Sequence, residues 1–98
     1  MIIVAGSVSI KPEHLDEAIQ IAQNLSKETR NEAGCISYHF STSLDDPNTL
    51  LIFEQWESAE ALEQHFQTDH MKKLQEELPK FVAGPLSIQR YMAESISD

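Results

Sequence analysis

Four histidines are the residues of this sequence best suited to move a proton near neutral pH: His14, His39, His65 and His70. His65 and His70 lie five positions apart, about 140° around a continuous helix. That is not the i, i+4 spacing that brings two histidines onto one zinc ion. A helix break near Gln67 would let them converge. His65 follows Leu62 by one turn, and His70 precedes Leu74 by one turn, so both border an apolar stripe. Each reads either as a helix-end or rim residue, or as a proton acceptor at a pocket mouth. His14 and His39 fall on polar faces and read as solvated.

Glu54 and Trp56 share one face of a strand with Leu50 and Ile52. A carboxylate there needs a partner. Arg90 on the last strand could pair with it, or a hydrogen bond could form across a dimer. Trp56 reads as core or interface. Tyr38, between Ile36 and Phe40, reads as inward-facing, its phenol bonded to a ligand or to backbone. Cys35 has no flanking cation and reads as structural. As the only cysteine, it excludes an intrachain disulfide and a multi-cysteine zinc site. No glycine-rich phosphate loop or nucleophile-elbow motif is present.

The elements that must position these groups alternate along the chain. Ile2 to Ile10 is rich in β-branched residues and reads as a strand. Pro12 suits the first turn of a helix. Leu15, Ala18, Ile19, Ala22 and Leu25 follow at helical spacing, so a helix is predicted from about Pro12 to Glu32, with Gly34 at a left-handed C-terminal cap. Cys35 to Thr42 alternates, with Ile36, Tyr38 and Phe40 predicted to point one way and Cys35, Ser37, His39 and Ser41 the other. Asp45-Asp46-Pro47-Asn48 is turn chemistry, and Thr49 to Glu57 is the next strand. Ser58 is a good N-cap, and Ala59, Leu62 and Phe66 line one face of a short helix. Thr68 and Asp69 begin a second one, carrying Met71, Leu74 and Leu78. Pro79 ends or kinks it. After the Gly84-Pro85 turn, Leu86 to Met92 alternates as a last strand. The order β-α-β-β-α-β is the ferredoxin-like split β-α-β arrangement of the α+β class, a four-stranded antiparallel sheet with helices on one face.

Leu50-Leu51-Ile52-Phe53 and Ile2-Ile3-Val4-Ala5 are apolar on consecutive positions. A half-solvated antiparallel sheet should alternate. Both faces are therefore expected to be covered, one by the helices and the other by the sheet of a second copy. A homodimer through sheet-on-sheet packing is the expectation.

The bulk numbers agree with this compactness. The chain has 98 residues, one domain by length, with a core to about residue 93 and a frayed tail over 94–98. With 16 acidic against 7 basic residues the net charge is -9. Nucleic acid and anionic membrane are thereby disfavoured as partners. No segment reads as a signal peptide or membrane span, which with the single thiol points to the cytoplasm.

Several runs then resemble one family. Glu32-Ala33-Gly34-Cys35-Ile36-Ser37-Tyr38, Asp46-Pro47-Asn48, Glu54-Gln55-Trp56, Ala61-Leu62-Glu63-Gln64-His65 and Thr68-Asp69-His70 are similar, in order and spacing, to antibiotic biosynthesis monooxygenase (ABM) domains. The resemblance runs from the first strand to about Met92. It implies a dimeric α+β barrel with a pocket in each subunit between sheet and helices. It also implies oxygenation of a quinol-like or polyphenolic molecule by O2, with neither cofactor nor metal. His65 would be the base and His70 the second choice. Tyr38, Trp56, Glu54 and Phe66 would bind and orient the ring. Haem-degrading members are similar in fold but use an Asn on strand one and a helical Trp. This chain has neither. A non-redox isomerase of a small, possibly phosphorylated metabolite stays open, with His65, His70 and Glu54 shuttling protons and Arg90 or Lys72 meeting phosphate. So does a non-catalytic small-molecule-binding dimer.

Overall fold

The computed structural model describes residues 1–97; Asp98, the last residue of the expected tail, lies outside the described residues. Strand β1 spans Ile2–Ser9, and a 3-10 turn at Pro12–His14 leads into helix α1, Leu15–Thr29. Strands β2 (Cys35–Thr42) and β3 (Thr49–Trp56) form a hairpin. Helices α2 (Ala59–Phe66) and α3 (Asp69–Glu77) follow, then a 3-10 turn at Leu78–Lys80 and strand β4, Ser87–Met92. The sheet order is β2-β3-β1-β4, with every neighbouring pair antiparallel. This is the ferredoxin-like α+β fold, with three helices. Ile10, predicted to end β1, instead makes an isolated bridge to Val82.

Helix α1 stops three residues before the predicted Glu32. From Thr29 onward the backbone tightens into successive turns: Asn31 N–H donates to the Glu28 carbonyl (3.2 Å) and Glu32 N–H to that of Thr29 (3.0 Å). Gly34 then turns the chain with φ +84, and a Cβ there would stand 2.5 Å from the Ala61 Cβ. Glycine is needed twice over, for the left-handed backbone and for the close approach to α2.

Strand β2 departs from simple alternation. Cys35 pairs with Trp56, Ser37 with Gln55 and Tyr38 with Glu54, so Ile36 is an extra residue opposed by nothing on β3. This bulge shifts the side-chain parity by one. Ile36, predicted inward, is 50% exposed, whereas Cys35, predicted outward, packs against the core. Tyr38 and Phe40 face inward as expected.

The predicted break in the second helical region is present. The Ser58 hydroxyl accepts from Ala61 N–H (3.1 Å) and starts α2, and the Thr68 hydroxyl accepts from Met71 N–H (3.3 Å) and starts α3. The helices cover one sheet face, where Val4, Leu25, Tyr38, Trp56, Leu62 and Met71 form the main core cluster. On the other face Leu51, Phe53 and Tyr91 remain 37%, 42% and 50% exposed. Among the described residues, no helix is long and apolar enough to cross a membrane.

Candidate active site

The site is built around Glu32, which the turns after α1 carry under α2 and α3. One of its oxygens, Oε2, lies 2.8 Å from His65 Nδ1 and 2.6 Å from His70 Nε2. The helix break lets both rings reach it: His65 sits near the end of α2, and His70 in the first turn of α3. A carboxylate only accepts, so His65 Nδ1 carries the proton. The lone pair of the neutral ring is then on Nε2.

His65 is 1% exposed and lies among aromatic rings, its centroid 4.7 Å from that of Trp56 and 5.6 Å from that of Tyr38. Burial lowers its pKa from the ordinary value of 6.5, only partly opposed by the hydrogen bond and charge of Glu32. The ring is therefore held neutral and able to accept a proton. His70 differs. It is partly exposed, and its Nδ1 faces Glu28 Oε2 at 3.3 Å.

Between the inner sheet face and the helices is a cavity of 480 Å³, whose wall includes His65, Tyr38, Phe66, Glu54 and Arg90. The rest of the wall is largely apolar, with Leu50, Ile52, Met71, Leu74, Phe81 and Ile88 among its residues. A volume of this size suits a small organic ligand. Glu32, which engages Nδ1, is not part of the wall, whereas His65 is, and Nε2 is the ring nitrogen left without a side-chain partner among the described contacts. Of its wall residues, Leu86 and Ile88 stay about half exposed.

Glu54 is the second carboxyl at this cavity. Its Oε1 accepts from Trp56 Nε1 at 2.8 Å. Burial pushes its pKa up from 4.5 to about 7, against the opposing effects of the Trp56 hydrogen bond and the Arg90 charge. Val4 separates Glu54 from Arg90 in the sheet register, so the arginine acts through space. The Arg90 guanidinium instead lies 5.0 Å from the centre of the Phe66 ring. Tyr38 is buried, and that burial, with the Glu54 charge next, pushes its phenol well above the ordinary value. The neutral O–H is a donor at the wall.

The structure thus brings His65, Tyr38, Glu54 and Phe66 to one cavity. His70 lies outside its wall, in contact with Glu32. Trp56, expected to orient a ring, is fully buried and does not line the cavity; it reaches the site only through Glu54 and His65. His39 is exposed near Arg30, and His14 contacts Glu17 and Phe81. Burial raises the Cys35 thiol pKa, with Glu32 and Glu54 adding to it, which leaves it a poor nucleophile. Sequence reasoning named no role for Glu32. The signal available was its place two residues before the obligatory Gly34.

Comparison with known proteins adds independent findings. The family model for antibiotic biosynthesis monooxygenase matches residues 1–77. A protein of Synechocystis sp. of uncharacterized function is 38% identical over 90 residues, covering 92% of this chain and 61% of its own length. The chain thus spans less than two thirds of that relative. The Bacillus subtilis (strain 168) protein YcnE, provisionally named a monooxygenase, is 27% identical over 92% of this chain and 95% of its own. A conserved protein from Methanosarcina mazei Go1 superposes with a TM-score of 0.89 at 30% identity, over 95% of this chain and 92% of that one. A Deinococcus radiodurans structure, provisionally titled an antibiotic biosynthesis monooxygenase, gives 0.91 at 27% identity, over 100% and 97%.

Proposed function

We propose that this chain, which belongs to the antibiotic biosynthesis monooxygenase family, oxidises a quinol-like or polyphenolic small molecule with O2 without a cofactor. The observation that carries this reading is the Glu32–His65 pair with His65 in the wall of a largely apolar cavity, which we read as Nδ1 held by Glu32 and Nε2 turned to the cavity. Ground-state O2 is a triplet and reacts slowly with closed-shell molecules. A phenolate is electron-rich enough to pass it one electron. The protein's tasks are then to remove a proton, hold the ring and keep water away.

Each task has residues here. His65 Nε2 takes the phenol proton, and Glu32 orients the ring and stabilises the imidazolium that forms, as a carboxylate does for a catalytic histidine elsewhere. Phe66 and Tyr38 present aromatic surface to the substrate. The Tyr38 O–H donates to a substrate oxygen. The phenolate gives one electron to O2, and the radical pair recombines as a carbon–oxygen bond. Loss of water then breaks the O–O bond. A hydroquinone and O2 yield a hydroxyquinone and water, with all four electrons taken by O2 coming from the substrate. No external reductant is required.

The partner in this reading is a second copy of the chain. Leu51, Phe53 and Tyr91 make the outer sheet face apolar, and packing two such faces would remove them from water. Light scattering should give a dimer at micromolar concentration, and a Phe53→Asp monomer. The single free thiol fits a reducing cytoplasm.

An isomerase reading draws on one observation, the presence of two proton-exchanging groups, His65 and Glu54, at the same cavity. Against a phosphorylated substrate, Arg90 is the one Lys or Arg in the wall, and Lys72 is not part of it. Oxygen uptake separates the readings. Metal-stripped protein is assayed on a panel of hydroquinones and polyphenols, against an autoxidation blank. Uptake that scales with protein supports the monooxygenase. Turnover of a substrate without oxygen uptake supports the isomerase, and binding without turnover supports a ligand-binding dimer.

A further inference from the structure

We propose that Glu32 Oε2, His65 Nδ1 and His70 Nε2 form a binding site for a divalent transition metal of the zinc class, adjoining the substrate cavity through the shared His65. These three donor atoms lie within 4.8 Å of one another. They come from three separate elements: the turn after α1, the end of α2 and the start of α3. Two imidazole nitrogens and one carboxylate oxygen are borderline donors. They suit zinc, cobalt or nickel better than calcium or magnesium, which take oxygen-rich shells.

The surroundings resemble those of a built metal site. The Glu32 and His65 side chains are 13% and 1% exposed, so His65 is fixed by packing and Glu32 is largely shielded from water with some freedom to move. Behind His70 stands a second carboxylate, the exposed Glu28, whose Oε2 lies 3.3 Å from Nδ1. A carboxylate on the far nitrogen of a ligating histidine fixes the tautomer that leaves the near nitrogen free for metal. An entry path exists too. His70 lines an outer groove together with Glu28, Asp69, Glu77 and Lys73, in which the acidic side chains outnumber the one lysine. Donors about 2.1 Å from a tetrahedral ion stand about 3.4 Å apart. The present contacts of 2.8 and 2.6 Å must therefore open by roughly half to one ångström on metal entry. His70, the more exposed ring, can open the 2.6 Å contact, and a shift of the Glu32 side chain opens the 2.8 Å contact to His65.

The site has a chemical consequence for the cavity. Metal at Nδ1 displaces the proton that Glu32 holds there. The one proton of the neutral ring must then sit on Nε2, turning the acceptor facing the cavity into a donor. Bound metal and an active base exclude one another. This consequence rests on the reading of His65 as the base; the binding itself does not.

Cobalt(II) titration of chelator-treated protein, read by visible d–d absorption, tests the site without any turnover. Zinc calorimetry gives the affinity. The expected result is one ion per chain, saturating at micromolar metal, with zinc displacing cobalt. Glu28→Gln should weaken zinc only slightly, because that carboxylate is largely exposed. His70→Ala and Glu32→Gln should weaken it further still, with near-UV circular dichroism confirming that both are folded. His39→Ala should leave it unchanged. No saturable uptake by the wild type, or uptake equal in His70→Ala, would overturn the proposal. Because metal uptake and oxygen uptake are read separately, loss of either reading leaves the other to be judged on its own result.

Discussion

Glu32 and Glu54 are both shielded carboxyl groups near the cavity, and their surroundings differ. Glu32 sits at the rim and meets two histidines through a single oxygen. Glu54 lies deeper in the same half of the fold, 6% exposed, and meets one indole N–H. What differs is the partner. Imidazole carries an exchangeable proton near neutral pH, so Glu32 orients a base. Indole N–H is a permanent donor, so Glu54 is anchored while burial keeps its own proton on to about pH 7. The same residue type is a positioning group in one place and a titrating wall group in the other.

The contrast can be broken at its catalytic side first. His65→Asn keeps an N–H donor toward Glu32 but has no base toward the cavity. It should lower kcat for oxygen uptake by about 100- to 10,000-fold, the usual contribution of a general base. A rate close to wild type would remove His65 from the chemistry.

Glu54 should show itself in stability against pH. Its folded pKa of about 7 lies above the 4.5 of the free group. The folded state therefore holds this proton more tightly. The resulting stability is present in full below pH 4.5 and is lost as pH rises through about 7. Glu54→Gln has no such proton. Denaturant melts should show the wild type losing ground to Glu54→Gln by up to about 3 kcal/mol across that window. A constant gap between the two would contradict the buried, proton-holding Glu54.

Removing the anchor sharpens the same point. Trp56→Phe leaves the Glu54 carboxyl without its donor, and should cost about 1–3 kcal/mol, read as a lower urea midpoint. Measured above pH 7, where Glu54 is charged, the cost should be smaller in a Glu54→Gln background, where no charge remains to be stabilised. Smallest is the cap at the break between the two histidine helices. Thr68→Ala removes the hydroxyl that accepts from Met71 N–H and donates to the His65 carbonyl. About 1 kcal/mol is expected.

The sequence carried the scaffold well where local chemistry decides. Ser58 and Thr68 are polar side chains placed just ahead of apolar stripes, and both caps are present. The strand order follows from alternation and turn residues. Ile36 was misread because a bulge adds a residue without changing the residue types around it, so alternation counted along the strand comes out one step wrong. Among the residues of the cavity wall, His65 and Tyr38 were singled out by type and spacing, and Phe66 by the family resemblance. Glu32 did not. It is one of 16 acidic residues, and its meeting with histidines 33 and 38 positions away depends on how α1 ends and how Gly34 lets the turn approach α2. Trp56 was legible as buried, but its screening from the cavity by its neighbours is a property of packing alone.

The most direct test is the tautomer of His65 in metal-free protein, read from the two ring nitrogens by 15N NMR. The Glu32 contact predicts a proton on Nδ1 and a bare Nε2 at neutral pH, with the signals exchanging roles in no more than a minor population. A ring found with its proton on Nε2 would mean that no base faces the cavity, and would contradict the account at its centre.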